Sequence, residues 1–370
     1  MKALASCRTA ALGGHLDECE GCGYGRPSYN SCRNRHCPKC HAAARARWLE
    51  ARRAELLPVP YFHVVFTLPA AIADIALQNK AALYDMLFHT SAETMQEIAA
   101  DPKHLGAEIG FLTVLHTWGQ NLMHHPHVHC VVPGGGLAPD GKGWVASREN
   151  FFLPVRVLSR VFRGKFLERL RKAYDRGELA FHGSLAKYRK SAAFRRLLDE
   201  AYRQEWVVYA KAPFGGPEQV LKYLARYTHR VAISNQRLRS MDGDRVSFEW
   251  KDYARGHVRR TMTLTAMEFI RRFLLHVLPT GFVQIRQYGF LANCHRQTKL
   301  EVCRRLLNVA PVPEPEPGAE ADVTSDPPAD EVEEVAHRCP NCGVGHMRKV
   351  KTMARPTTQQ VFESWPFDSS

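Results

Sequence analysis

The sequence predicts an α+β fold in which helices pack against a mostly antiparallel sheet. Short apolar runs bounded by turn residues predict strands at 61–68, 108–118 and 127–132. Apolar residues at helical spacing predict a core helix over 70–100 and two basic helices over 155–200. Two CxxC pairs near the N-terminus predict a small metal-stabilised module in front of this core.

Further elements are predicted in the second half of the chain. A helix is expected to begin at Pro217, since proline suits the first helical turn. Thr265 and Glu268 fit a capping box that opens a helix ending near Val277. Five segments have the composition of strands, and the third and fourth are expected to form a hairpin: 205–211, 231–235, 245–252, 258–264 and 282–286.

The chain is strongly basic outside one acidic segment. Its 370 residues carry a formal net charge of +14. Residues 311–335 contain nine acidic residues and no Lys or Arg, so the rest of the chain carries +23. This balance favours nucleic acid as the partner over a membrane surface, because no basic helix with a strong apolar face stands out. With no run of 18 apolar residues and no signal-peptide core, we expect a cytoplasmic protein that does not enter membranes.

The eleven cysteines indicate zinc rather than disulfides, because most of them fall in CxxC pairs. Cys19, Cys22, Cys37 and Cys40 are predicted to close one tetrahedral structural zinc site. Zinc would replace a hydrophobic core that a segment of about fifty residues cannot build. A ligand swap or a second ion stays open because other donors lie nearby: Cys7, Cys32, His15, His36 and His41.

These patterns divide the chain into four segments. A zinc-binding domain with a basic helix is predicted over 1–57, and a catalytic domain over 58–307. An acidic, Pro-rich segment over 308–335 has the composition of a disordered linker. The C-terminal tail, 336–370, contains a CxxC motif at 339–342 that looks like half a zinc ribbon. Because no second CxxC follows it, a degenerate remnant is the favoured interpretation, and a zinc-binding half-site is the alternative.

Two histidines on one predicted strand form the most informative motif. One residue separates His127 from His129, and alternate residues of a strand point to the same face. We therefore expect their imidazoles to project together, roughly 7 Å apart at the backbone, and to bind one divalent metal ion. Surface histidines in a His-rich loop are the alternative interpretation.

A pair of tyrosines is the second informative motif. Tyr223 and Tyr227 are spaced i and i+4 on the helix predicted after Pro217, so they share one helix face. Taken alone, this spacing is more typical of two half-buried core tyrosines. In combination with the histidine motif, it favours tyrosines that act as nucleophiles.

The chain resembles the HUH single-strand endonucleases, and more narrowly the two-tyrosine transposases of rolling-circle bacterial insertion sequences of the IS91 type. The resemblance rests on three segments that occur in the family's order: YNSCRNRHCPKCHAAARARWL at 29–49, LHTWGQNLMHHPHVHCVVPGGG at 115–136 and KYLARYTHRVAISNQRL at 222–238. The first segment is similar to the zinc domain that opens those transposases. With the connecting segments, the resemblance covers roughly residues 5–300.

The resemblance implies an HUH core, which is a small antiparallel sheet flanked by helices, and the activity of a DNA transposase. Such an enzyme nicks single-stranded DNA at the element ends and transfers it to a target through a phosphotyrosine link, in the bacterial cytoplasm at the nucleoid. Tyr223 and Tyr227 would be the nucleophiles, and Arg226 and Arg230 would neutralise phosphates. Whether one or both tyrosines react stays open, and Tyr227 is favoured if only one does.

A catalytic divalent ion is expected beside the structural zinc. Magnesium or manganese is the expected ion, and imidazole ligation fits manganese. A third ligand is needed, and His116 is the first choice because it ends the strand that can lie beside the histidine strand. Other candidates for this position are Gln120, His125 and His229.

Two other functions account for part of the pattern. A metal-dependent hydrolase can also use an HxH motif, but it would need further histidines and carboxylates at strand ends. The acidic residues here fall mostly in predicted helices or in the linker. A zinc-dependent DNA-binding protein without catalysis, including an inactive transposase remnant, explains the zinc motifs and the charge. It leaves the histidine strand and the tyrosine pair without a use.

Overall fold

The computed structural model describes residues 2–34, 37, 40, 48–211, 219–220, 232–252, 255–256, 258–309 and 338–355. Of the helix predicted after Pro217, only residues 219–220 are described, and both are helical. The predicted linker over 308–335 lies almost wholly outside these residues. Within the described part of the chain, every helix is too short or too polar to cross a lipid bilayer.

The described strands and helices occur in runs along the chain. The strands are β1 (Gly14–Cys19), β2 (Gly25–Tyr29), β3 (Tyr61–Thr67), β4 (Gly110–Trp118), β5 (His124–Pro133), β6 (Gly135–Leu137), β7 (Trp144–Ala146), β8 (Val208–Lys211), β9 (Leu238–Asp242), β10 (Arg245–Asp252), β11 (Val258–Thr265), β12 (Ile285–Gly289) and β13 (Met347–Met353). The longer helices are α1 (Ala70–Gln78), α2 (Lys80–Ala100), α3 (Val155–Asp175), α4 (Ser191–Arg203), α5 (Ala266–Leu275) and α6 (Arg296–Leu306).

Contacts within the chain divide it into two units that differ from the predicted segments. One unit contains residues 1–46 and 312–370, and the other contains residues 47–311. In this division the N-terminal unit ends at residue 46, and the described C-terminal residues 338–355 belong to it. The reason is an antiparallel pairing of β1 with β13, which no local sequence pattern indicates.

The unit formed by the two chain ends has almost no apolar core. Its sheet has the strand order β13-β1-β2, with both pairings antiparallel. Among its described residues no aliphatic or aromatic side chain is buried. The buried residues that are usually counted as hydrophobic are four cysteines: Cys7, Cys19, Cys37 and Cys339. A three-stranded sheet without apolar packing is marginal in water, so this unit depends on its cysteines for stability.

The larger unit is built on a five-stranded antiparallel sheet with the order β12-β4-β5-β3-β8. β5 lies in the middle, between β4 and β3. In this register His129 is opposite Val114 of β4 and Val65 of β3, while His127 is opposite His116. The predicted α+β class, with helices on an antiparallel sheet, is confirmed.

One face of this sheet forms the main core. Alternate residues of β5, which are Val128, Cys130 and Val132, point into it and are fully buried. Helices α1, α2 and α3 cover this face, for example through Phe88 of α2 and Phe162 of α3. Each large apolar side chain buried in this way contributes about 1.5–3 kcal/mol relative to exposure. The core therefore fixes which face of β5 its histidines must occupy.

The opposite face of the sheet carries a smaller apolar cluster and the histidines. Leu112, Val114 and Val131 lie on it and pack with Tyr61 and Val220. Since alternate residues share a face, His127 and His129 are on the same side as Val131. One face of β5 thus packs into the main core, and the opposite face presents His127 and His129.

A separate three-stranded sheet, in the order β11-β10-β9, packs against α5 through Phe248, Leu264 and Phe269. The predicted hairpin of β10 and β11 is confirmed. Helix α5 begins as predicted, with Thr265 Oγ1 accepting a hydrogen bond of 3.2 Å from the Glu268 N–H. The sequence analysis does not predict β9, because all of its side chains are exposed and show no alternation.

Asn79 divides the single helix predicted over 70–100 into α1 and α2. Its side-chain amide donates to the Ala180 carbonyl oxygen at 2.9 Å and accepts from the Ala180 N–H at 2.7 Å. These side-chain bonds tie the junction of the two helices to a segment about a hundred residues away, while the Asn79 N–H still donates to the Ile75 carbonyl oxygen at 3.1 Å. The apolar spacing on either side of Asn79 contains no sign of that contact.

Two other predictions differ from the structure. The strand predicted over 231–235 is wrong in its described part, where Asn235–Arg237 form a turn of 3₁₀ helix. The strand predicted over 282–286 lies later, at Ile285–Gly289, where it pairs with β4. Helix α6 is not predicted because it is a polar surface helix in which Leu300 and Cys303 are the buried residues.

We expect Gly289→Ala to lower the free energy of unfolding by about 3 kcal/mol. Gly289 has a φ of +61°, and an added Cβ would overlap the Ile109 carbonyl oxygen beside β4. The left-handed conformation costs an alanine about 1 kcal/mol, and the overlap adds about 1–3 kcal/mol. Gly141→Ala is the matched control, because Gly141 has a φ of +68° and no neighbour within 4 Å. Equal losses for the two variants in denaturant unfolding would contradict this account.

Candidate metal centres and active site

Three histidines of the central sheet lie with their ring nitrogens together. His116 is near the end of β4, and His127 and His129 are on β5. His116 is opposite His127, and the one-residue spacing puts His129 on the same face. One ring nitrogen of each lies within 4.8 Å of the others. The register of β4 and β5 thus joins the first-choice third ligand to the two histidines of the motif.

His127 and His129 are each held by a hydrogen bond at Nδ1. Nδ1 of His127 donates to the His125 carbonyl oxygen at 2.6 Å. Nδ1 of His129 lies 2.7 Å from Nε2 of His63 on β3. In a metal ligand the hydrogen-bonded Nδ1 carries the proton, so Nε2 is the atom that can bind the ion. Both rings are therefore oriented before any ion arrives.

His63 is a candidate site residue that the sequence analysis missed. It lies in a strand recognised only by its apolar composition, 66 positions from His129. The antiparallel pairing of β3 with β5 brings the two together, with their rings only 3° from parallel. No spacing rule within one segment could have found this contact.

The imidazoles of this group favour the neutral form. Burial lowers the pKa of His127 and of His129 well below its usual range, and the neighbouring imidazole of His116 lowers both further. Burial also lowers the pKa of His63 to about 4, and the charges of His127 and Lys211 add to this shift. Neutral imidazole is the form that coordinates metals, so these ligands need lose no proton on binding.

Aromatic contacts fix the strand ends that carry the histidines. His116 stacks on Trp118, with 4.6 Å between ring centroids. Trp118 in turn meets the edge of the buried His276 ring. Nε2 of His276 lies 3.0 Å from the carbonyl oxygen of Leu122 in the β4–β5 connection. The connection is thus anchored to the end of α5, which keeps the histidines in register.

The other candidates for the third ligand do not join this group where the structure describes them. Gln120 lies in the β4–β5 connection. The ring of His125 is 5.3 Å from that of His127, centroid to centroid, and it is outside the group of converging nitrogens. His229 lies outside the described residues. Among the described residues, His116 is the third member.

Four of the predicted site residues lie outside the described part of the chain: Tyr223, Tyr227, Arg226 and Arg230. The nearest described residue before them is Val220, which is helical together with residue 219. This residue is fully buried against Leu112, Val114 and Val131. Val114 is opposite His129 in the sheet. Val220 therefore lies on the face of the sheet that carries the histidines.

Cys7, Cys32, Cys37 and Cys40 form a cluster whose Sγ atoms lie within 4.8 Å of one another. The Sγ atom of Cys40 is 3.4 Å from that of Cys7 and 3.7 Å from that of Cys32. Four thiolates at 2.3 Å from one tetrahedral zinc ion are about 3.8 Å apart, so the cluster fits a structural zinc ion. Burial raises the pKa of the Cys7 thiol, but the Cys32 N–H and the neighbouring thiols outweigh it and bring the pKa to about 7.

One zinc site is predicted for Cys19, Cys22, Cys37 and Cys40. That prediction is wrong, because these four cysteines are divided between two clusters. The last two lie with Cys7 and Cys32, whereas the first two lie beside Cys339 and Cys342. A CxxC motif fixes only two neighbouring thiols, and the path of the chain decides which second pair completes the tetrahedron. Both N-terminal pairs have the same local pattern, so spacing could not separate them.

A histidine centre on an antiparallel sheet, together with a unit built around cysteine clusters, defines a metalloprotein of the α+β class. Residues 110–299 match the family described as "Putative transposase", and residues 1–68 match the "Transposase zinc-binding domain". The chain belongs to the IS91-like transposase family. It is therefore a DNA transposase whose zinc-binding domain holds structural zinc.

Two curated relatives are similar over most of their length. The chain is 58% identical over 351 residues to "Putative transposase y4qJ" of Sinorhizobium fredii (strain NBRC 101917 / NGR234), covering 94% of this chain and 87% of the relative. It is 29% identical over 349 residues to the transposase for insertion sequence element IS801 of Pseudomonas savastanoi pv. phaseolicola. That alignment covers 92% of this chain and 80% of the relative. Both alignments include both units of the fold.

Solved structures of the conjugative relaxase TrwC in complex with DNA overlap the fold only partly. The metal-bound complex with oriT DNA has a TM-score of 0.25 and 14% identity, covering 45% of this chain and 70% of that one. The complex with a 27-mer DNA has a TM-score of 0.24 and 13% identity, and the alignment covers 67% of this chain and 74% of the relaxase chain.

We expect Cys32→Ala to release one zinc ion per chain, because Cys32 completes the tetrahedron of Cys7, Cys37 and Cys40. The N-terminal unit should then unfold at a lower temperature, since zinc replaces its missing core. Zinc content after gel filtration and a thermal melt measure both effects. Cys294→Ala is the control, because Cys294 is exposed and outside the clusters. Full zinc content in Cys32→Ala would contradict the assignment.

Proposed function

We propose that this transposase cuts and rejoins single DNA strands through a phosphotyrosine intermediate. The observation that carries the proposal is the convergence of three imidazoles, from His116, His127 and His129, on one point. A structural zinc site encloses its ion with four protein ligands, whereas three leave positions open for substrate oxygens. The histidine centre is therefore suited to chemistry on a phosphate.

Tyr223 and Tyr227 are the proposed nucleophiles. The phenolic oxygen of one attacks the phosphorus, a bond from phosphorus to the tyrosine oxygen forms, and the bond from phosphorus to the 3′ oxygen breaks. The leaving 3′ oxygen takes up a proton. The phosphotyrosine ester keeps the energy of the broken bond, so a 3′-hydroxyl can reverse the step without ATP. A phenol has a pKa near 10 and needs electrophilic help at neutral pH.

Magnesium or manganese is the proposed ion, and the imidazole ligands favour manganese. Bound here, the ion would polarise the scissile phosphate and neutralise the charge that develops on it. The contribution of the protein is to orient the imidazole ligands. The His125 carbonyl oxygen orients His127, His63 orients His129, and burial keeps both rings neutral.

The burial of Val220 supports a tyrosine helix on the histidine side of the sheet. Tyr223 and Tyr227 follow Val220 by three and seven positions. Residues spaced i, i+3 and i+7 lie on one face of a continuous helix. A helix that turns Val220 toward Val114 and Val131 would therefore turn both tyrosines toward the same sheet face.

Two tyrosines on one face permit two successive cleavages. One would hold the donor strand while the other attacks a second phosphate. Arg226 and Arg230 are the proposed phosphate contacts beside them. If only one tyrosine reacts, Tyr227 is the proposed one. The basic body of the chain and a relative named for an insertion sequence element support single-stranded element ends and target DNA as the substrate.

A covalent-adduct assay tests this function. The full chain is mixed with end-labelled single-stranded DNA from the element's terminus and with manganese or magnesium. We expect a labelled band that survives SDS, disappears with EDTA, and is absent from the Tyr223→Phe, Tyr227→Phe double variant. If the adduct is lost completely in only one of the two single variants, the tyrosine replaced in that variant is the only nucleophile. If each single variant loses part of the adduct, both tyrosines react.

Tyr202→Phe is the matched control for this assay, because Tyr202 is an exposed tyrosine on α4. Its adduct should equal that of the wild type. Tight DNA binding without an adduct at any terminal sequence would sink the catalytic proposal. The protein would then be a zinc-dependent DNA-binding protein, or a transposase that has lost its activity.

His63→Ala should weaken manganese binding at the histidine centre by about 10- to 100-fold, because it removes the partner of His129 Nδ1. His63→Asn retains a hydrogen-bonding group and should lose less. Titration of the zinc-loaded chain, with free manganese followed by electron paramagnetic resonance, measures the affinity. The reference for complete loss of the site is His127→Ala.

The control for His63→Ala is His89→Ala. His89 is an exposed histidine on α2 whose ring lies 3.4 Å from a carboxylate oxygen of Asp85. Its replacement should leave manganese affinity unchanged. Wild-type affinity in His63→Ala would show that His129 is oriented without it.

A further inference from the structure

The sequence contains two copies of one short pattern, C-x-x-C-G-x-G, at opposite ends of the chain. One copy is CEGCGYG at 19–25, and the other is CPNCGVG at 339–345. The glycine after the second cysteine has the same left-handed conformation in both, with φ of +68° at Gly23 and +69° at Gly343. Its N–H donates at 2.9 Å to the carbonyl oxygen of the first cysteine in both copies. The two copies are thus the same turn.

These two turns face each other with their thiols together. The Sγ atom of Cys19 lies 3.7 Å from that of Cys342, and the Sγ atom of Cys22 lies 3.7 Å from that of Cys339. All four lie within 4.8 Å of one another. A disulfide needs about 2.05 Å between its sulfurs, whereas tetrahedral zinc ligands are about 3.8 Å apart. The spacing is that of a zinc tetrathiolate.

Backbone donors support thiolates at this position. The N–H of Asn341 donates to Cys339 Sγ at 3.4 Å, and the N–H of Gly345 donates to Cys342 Sγ at 3.3 Å. Hydrogen bonds of this kind stabilise the ionised ligand that zinc requires.

The backbones of the two turns also fit closely. A Cβ on Gly345 would lie 2.5 Å from Cys19 Sγ and 3.1 Å from the backbone nitrogen of Gly21. The N–H of Glu20 donates to the His346 carbonyl oxygen at 3.1 Å, and β13 then continues as the partner of β1. The contact is therefore a built interface between two segments of the unit that contains both chain ends.

We propose that Cys19, Cys22, Cys339 and Cys342 bind a second structural zinc ion, so that the two halves of one zinc ribbon come from opposite ends of the chain. The match to the transposase zinc-binding domain covers residues 1–68 and so includes only half of these ligands. The C-terminal segment 338–355 is in consequence a part of the zinc module. Its site is completed only when the whole chain is present.

Zinc content of the full-length chain tests the proposal. The measurements use a His127→Ala, His129→Ala background, so that the histidine centre adds no zinc. We expect two zinc ions per chain in this background and one after Cys339→Ala with Cys342→Ala. One is also expected after Cys7→Ala with Cys40→Ala, and two after the control Cys294→Ala.

Gly345→Ala is a second variant that keeps all ligands. Its Cβ presses on Cys19 Sγ, so we expect one of the two zinc ions to be lost to a chelator at least tenfold faster than in the parent. Gly143→Ala is the matched control, since Gly143 also lacks a left-handed φ and its added Cβ would meet only Ala138 Cβ, at 3.8 Å. One zinc ion in the parent chain, or two retained without Cys339 and Cys342, would overturn the proposal. Neither result depends on DNA cleavage, so the proposed catalytic function is tested separately.

Discussion

The arrangement of the larger unit depends on the antiparallel pairing of β5 with its two neighbours. The pairing with β4 sets His116 opposite His127, and the pairing with β3 brings His63 to His129. A slip of one residue would turn His127 and His129 into the apolar core and Val128 out of it. The cost of burying imidazoles among apolar side chains therefore fixes the register, and the register assembles the centre.

The position of these histidines on the sheet also sets their protonation state and their orientation. On the histidine face His129 is buried and His127 is half-buried, and this desolvation lowers the pKa of both and favours their neutral form. Hydrogen bonds at Nδ1 turn both rings toward one point. The apolar cluster on that face also holds Val220, three positions before Tyr223. Packing, charge state and the approach of the tyrosine helix thus follow from one sheet face.

The other unit solves a different physical problem. Its described residues bury cysteines instead of apolar side chains, so metal ligation must replace the hydrophobic core. Joining Cys22 to Cys339 closes a loop of more than 300 residues, whose entropic cost is about 6 kcal/mol. A structural zinc ion contributes about 10–16 kcal/mol, which is enough to offset this cost. Strand pairing between β1 and β13 alone would be a weak way to hold two chain ends together.

The sequence by itself determined the features that depend on neighbouring residues. Alternation along a strand placed His127 and His129 on one face, a capping box opened α5 at Thr265, and each CxxC motif formed a metal-binding turn. The tertiary structure alone decided how these pieces combine. It paired Cys19 and Cys22 with the C-terminal motif, added His63 to the histidine centre, and broke a predicted helix at Asn79. Periodicity and spacing record local geometry, whereas these contacts join segments tens to hundreds of residues apart and follow from the free energy of packing the whole chain.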